Sequence, residues 1–60
     1  MNNIKARREQ LGLSQVELAK MCDITKQQMC DIEKGRTKPT IKTAIKISKA
    51  LKISSIRFFE

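Results

Sequence analysis

An all-α fold, a compact bundle of five short helices built around a helix-turn-helix, is what this chain predicts. Three observations carry that expectation. Two capping boxes stand close together: Ser14 is followed three residues later by Glu17, and Thr25 three residues later by Gln28. In each, a hydroxyl can accept from the N3 amide while the Glu or Gln side chain reaches back to the cap amide. Only Cys22, Asp23 and Ile24 separate the end of the first of these helices from the cap of the second. Helices joined that tightly cannot lie antiparallel and must cross steeply. Finally, apolar residues recur at helical spacing along the chain.

The elements follow in order. Helix one is expected from about Asn3 to Leu11, with Gly12 as the residue that permits a left-handed stop. Ile4, Arg8 and Leu11 share one face of it, so an arginine stands between two apolar residues and needs a partner. Helix two covers about Gln15 to Cys22, with Val16, Leu18, Ala19 and Cys22 as an inward face. Helix three covers about Lys26 to Lys34; Met29 and Ile32 face the core, and Gly35 ends it. Pro39 bars helix until Thr40, the next N-cap. Helix four, about Ile41 to Leu51, is apolar at 41, 44, 45, 47, 50 and 51, an arc wide enough to predict a central helix touched on most sides. Ser54 is a cap for a last short helix through Phe59. There is no repeat, linker or low-complexity stretch, so residues 1–60 read as one domain.

Sixty residues bury only roughly 60% of the surface their unfolded chain exposes, so the core is small. Thirteen Lys and Arg against six Asp and Glu give a formal charge of +7, which points to a polyanionic partner. Tryptophan and tyrosine are absent and phenylalanine occurs twice, too few aromatic faces for a single-strand stacking platform. Cys22 and Cys30 read as small buried apolar residues. Without histidine or a CxxC pair a zinc site lacks ligands, so no metal and no cofactor are expected. No apolar run suits a signal peptide or a membrane span, and the expectation is a cytosolic chain with reduced thiols.

If helices two and three form the motif, Met29 and Ile32 mark the buried side of helix three. Lys26, Gln27 and Asp31 then lie on the solvent side, with Gln28 and Lys34 at its flanks. Glutamine can pair with adenine N6 and N7, and lysine can donate to guanine O6 and N7. Asp31 has two readings: it accepts from a cytosine N4 amine, or it lies beside the groove near Lys34 as a solvated charge. Gln15, in the first turn of helix two, is placed to hold a phosphate. Arg36, Thr37 and Lys38 follow the reading helix and suit backbone contacts. No acidic residue interrupts the run from Lys34 to Arg57, part of which must be only a solvated face.

The segments RREQLGLSQVELA, ITKQQMCDIEKGRTKPT and ALKISSIRFF carry a resemblance to the Xre/Cro family, which includes the phage repressors and Cro. LSQ-x-ELA together with IEKG-x-x-x-PT is specific in combination. The resemblance spans essentially the whole chain and implies a lambda repressor-like domain of five helices with the third as reader. It assigns Gln15 to a phosphate, Lys26, Gln27 and Asp31 to base-facing positions, and Arg36, Thr37 and Lys38 to the backbone. It also pairs Arg8 with Glu33, which supplies the partner that helix one demands. Asp23 stands where the family often has glycine, at modest cost because Asp tolerates a left-handed backbone. Ile56 and Phe59 are candidates for a dimer contact, Ile56 having the alternative role of capping the core.

The resulting expectation is a sequence-specific, double-stranded DNA-binding transcriptional regulator. It would be a repressor acting by operator occupancy, a homodimer on an inverted repeat. Nothing in the chain suits catalysis: the cysteines lack a base and the acids are scattered singly. The alternatives are an antitoxin-like or regulatory protein–protein module with secondary DNA binding, and non-specific nucleic-acid compaction, which would show salt dependence without sequence preference.

Overall fold

The protein's structure, a computed structural model, describes residues 3–53. Four helices lie within them: α1 (Ile4–Gln10), α2 (Gln15–Met21), α3 (Lys26–Glu33) and α4 (Ile41–Ala50). There are therefore four described helices where the sequence predicts five; the last, expected from Ser54, lies outside the described residues. No strand occurs among the described residues.

Both capping boxes form. Ser14 Oγ accepts from Glu17 N at 3.0 Å while Glu17 Oε1 accepts from Ser14 N at 2.9 Å. Thr25 Oγ1 accepts from Gln28 N at 3.0 Å and Gln28 Oε1 from Thr25 N at 2.8 Å. The hydrogen bonds to Ser14 hold the Glu17 carboxyl below its usual range. Thr40 caps α4 as expected, accepting from Thr43 N at 3.2 Å. Asn3 stands before α1 without a side-chain cap.

All four helices end in the same way. The amide two residues past each C-cap donates to the third-last helical carbonyl: Leu13 to Arg8, Ile24 to Ala19, Arg36 to Asp31 and Ile53 to Ser48. The intervening residue donates one step later in the helix: Gly12 to Glu9, Asp23 to Lys20, Gly35 to Ile32 and Lys52 to Lys49. This is the Schellman pattern, which needs a left-handed residue between cap and exit. Gly12 and Gly35 supply it at φ +73° and +75°. Asp23 and Lys52 adopt it despite their Cβ atoms, at φ 57° and 58°. In the turn between α2 and α3, Asp23 thus takes the left-handed position that Gly12 and Gly35 take after α1 and α3.

The core gathers Ile4, Leu18, Ala19, Cys22, Met29, Ile32, Ile47 and Leu51, with Leu11, Leu13, Ile24 and Ile53 packed on its edge. α2 is the hub, packing against both α3 and α4. This corrects the expectation for α4. Ile47 is buried, but Ile41 and Ile45 are 77% and 52% exposed. The wide apolar arc reflects one side turned inward at 47 and 51 and a second side left open, not a helix surrounded on most sides. Val16 is likewise 41% exposed rather than inward. It stands one turn before the buried Ala19, at the open end of α2. Cys22 is buried, whereas Cys30 is half-buried. Burial pushes the Cys22 thiol up, the nearby Lys46 charge opposing.

Candidate nucleic-acid interface

The face is organised by a polar seam that starts in α1. Arg8 is nearly enclosed, and so is Glu33, at 9% and 3% side-chain exposure. Arg8 Nε donates to Glu33 Oε2 at 2.8 Å and Nη2 to Oε1 at 3.2 Å, a two-pronged contact joining α1 to the end of α3. Its Nη1 donates to the Leu13 carbonyl at 2.9 Å. The Glu33 hydrogen bond raises the Arg8 pKa against the opposing effect of burial. Gln15 Nε2 then donates to Glu33 Oε1 at 3.2 Å, which ties the start of α2 into the same seam. Three helices meet on one carboxylate, so α3 is held at a fixed pose relative to α2.

Above the seam lies an open cleft of about 470 Å³ lined by Lys5, Ser14, Gln15, Val16, Lys26 and Lys34, with Arg8 and Glu33 at its floor. α3 presents Lys26, Gln27 and Gln28 exposed and turns Met29 and Ile32 inward. Among these helices, that is the orientation a major-groove reader requires.

A helix-turn-helix family model matches residues 4–58. The chain belongs to the Xre/Cro-like helix-turn-helix family. It is 42% identical over 48 residues to a protein of Methanothermobacter thermautotrophicus described as an uncharacterized HTH-type transcriptional regulator, covering 80% of this chain and 70% of that one. A protein of Methanocaldococcus jannaschii with the same description is 38% identical over 61 residues, covering 98% of this chain and 92% of its own.

Within this helix-turn-helix domain, Gln15, Lys26 and Lys34 come together on one cleft. Gln28 is exposed, but its carbonyl is spent on the Thr25 cap, leaving its amide nitrogen for other contacts. Asp31 is half-buried and engaged: its Oδ1 accepts from Gln27 Nε2 at 3.1 Å and lies 3.6 Å from Arg36 Nη1. The cation paired with it is Arg36. Arg36, Thr37 and Lys38 form an exposed loop directly after α3. Ile56 and Phe59 lie outside the described residues.

Two residues were missed in the sequence. Lys5 lines the cleft beside Lys26 and Lys34. Its position three before the buried Arg8, hence on the same side of α1, was the available signal. Arg7 Nε donates to the Leu51 carbonyl at 3.0 Å, closing the C-terminal end of α4. No local pattern announces a contact across 44 positions of chain. No group of acids, cysteines or histidines suited to a metal occurs among the described residues.

Proposed function

We propose that this chain is a sequence-specific, double-stranded DNA-binding transcription regulator that represses by occupying an operator. The observation that carries the reading is the pose of α3. Its N-terminal turn, capped at Thr25, shows Lys26 and Gln27 outward beside a cationic cleft, while Met29 and Ile32 are buried beneath. Lys26 and Gln27 read base edges, and Gln28 offers its amide nitrogen beside them. Gln15, Lys34, Arg36, Thr37 and Lys38 hold phosphates, which supply affinity without sequence choice. The family membership and the description of both relatives as HTH-type transcriptional regulators support it. No helix among the described residues is long and apolar enough to cross a membrane.

A two-fold dimer on an inverted repeat completes the proposal. The described residues extend 23 Å along their longest axis, whereas half-sites one helical turn apart are about 34 Å apart. Two copies, one per half-site, span such an operator; one does not. Selection of bound duplexes from a random pool, followed by footprinting at physiological salt, tests this. Enrichment of an inverted repeat is the expected result, and a pool that returns unenriched refutes it.

The exposed Ile41 and Ile45 favour a second reading, a helical module whose main partner is another protein. Replacing Lys26 and Gln27 with alanine separates the two. It abolishes operator choice on the regulator reading and leaves partner binding intact on the second.

A further inference from the structure

We infer that Asp31 does not read a base but sets which base Gln27 reads, restricting it to adenine. This inference rests on the proposed function, since it concerns how α3 chooses sequence. A glutamine amide has one accepting end and one donating end, and either can be turned outward by rotating its last torsion. At Gln27 that freedom is removed. Its neighbour one helical turn on is a carboxylate, which only accepts. Gln27 must therefore offer Nε2, as it does at 3.1 Å. Turning the amide over would aim Oε1 at a negatively charged oxygen.

One N–H being used on Asp31, the amide keeps its second N–H and its oxygen for DNA. That donor–acceptor edge matches adenine, which shows the N7 acceptor and the N6 donor in the major groove. Guanine shows two acceptors, O6 and N7, and would leave the Gln27 oxygen facing one of them. A glutamine without Asp31 is free to turn its amide over and donate to guanine. The carboxylate converts an adaptable reader into a selective one.

The carboxylate is itself held. Asp31 is the third-last residue of α3 before its cap, and the Schellman turn through Gly35 brings Arg36 N to 2.9 Å from the Asp31 carbonyl. The same turn sets the Arg36 guanidinium 3.6 Å from Asp31 Oδ1. Arg36 thereby offsets a negative charge on a face that approaches phosphates. Asp31 is a positioning residue, acting on DNA through Gln27.

The test compares the wild type, Gln27→Ala, Asp31→Asn, Asp31→Ala and the Gln27→Ala/Asp31→Ala double variant. Each is put through duplex selection, and its affinity is then measured on the wild-type site with every base pair substituted singly. Both Asp31 variants are expected to keep the wild-type melting temperature and to lose adenine-over-guanine preference at the base pair where Gln27→Ala loses it. The loss should be on the order of 10-fold, the worth of one bidentate contact. The double variant should discriminate no less than Gln27→Ala alone. Asp31→Ala should also bind all duplexes more tightly, because a like charge has left the face. Loss of preference at a different base pair would show Asp31 reading a base itself, and unchanged preference would show it idle; either overturns the inference while leaving the regulator reading intact. A wild-type pool without enrichment removes both.

Discussion

Replacing Arg8 with methionine removes the charge on which the meeting of α1, α2 and α3 depends. Glu33 would keep 3% of its side chain exposed and, among the described residues, would have Gln15 Nε2 alone donating to it. The Leu13 carbonyl would also lose its donor. Breaking a buried pair from one side costs about 3–5 kcal/mol, because the surviving charge is stranded out of water. A chain of 60 residues has about 3–9 kcal/mol of stability at the usual value per residue. Arg8→Met should therefore lose between about a third of the chain's stability and all of it. Arg8→Met combined with Glu33→Leu strands no charge. Its cost should be about 1 kcal/mol, mainly the unpaired Leu13 carbonyl. With no tryptophan or tyrosine to follow by fluorescence, urea unfolding is monitored by far-ultraviolet circular dichroism. The expected pattern is a single variant far below the double. If Arg8→Met unfolds within about 1 kcal/mol of the wild type, or the double variant is no more stable than the single, the stranded-charge reasoning is wrong.

Further predictions concern the helix ends and the thiols. Lys52→Gly should raise stability by about 1 kcal/mol, since it relieves a Cβ from a left-handed position, and thermal melts would show the gain. Glu17, held below its ordinary value by Ser14, stabilises the fold above the ordinary carboxyl range near 4.5 and loses that contribution as pH falls through its depressed folded value. Acid titrations of Glu17→Gln should accordingly show a shallower loss of helix below that range than the wild type shows. Cys22, buried and with its thiol pushed up, should resist iodoacetamide in the native state and react only on unfolding, while the half-buried Cys30 reacts first. Mass spectrometry of time points resolves the order.

What the sequence showed plainly was local. Ser14, Thr25 and Thr40 as caps, and Gly12 and Gly35 as exits, place helix ends to within one residue, because cap chemistry acts over four or five positions. The inward pair Met29 and Ile32 gave the orientation of α3 for the same reason. The pattern at α4 misled because periodicity reports which side chains are apolar, not which are covered. Ile41 and Ile45 satisfy the helical spacing and still face outward. Arg8 announced that it needed a partner, but only the family resemblance named Glu33, which lies 25 positions away. Asp31 could not be decided between its two readings, because its surroundings depend on how the chain leaves α3 through Gly35.

That last case extends to the other glutamines of the face. A polar side chain exposed near DNA is an incomplete description until its amide has a direction. Gln15 donates to Glu33 and Gln27 to Asp31, so both point nitrogen inward and keep an oxygen and one N–H for the outside. Gln28 accepts from the Thr25 amide, so it points oxygen inward and keeps two N–H donors. On the proposed function these are different instruments. Gln28 suits phosphate oxygens or the acceptor pair of guanine, whereas Gln27 suits adenine. Gln15, beside Lys26 and Lys34, can give a phosphate only one N–H, so the lysines must provide most of the charge there. Three residues of one type thus acquire three roles from the neighbour each is bonded to. A selected operator that treats Gln15, Gln27 and Gln28 as interchangeable would contradict the fixed amide directions on which this assignment depends.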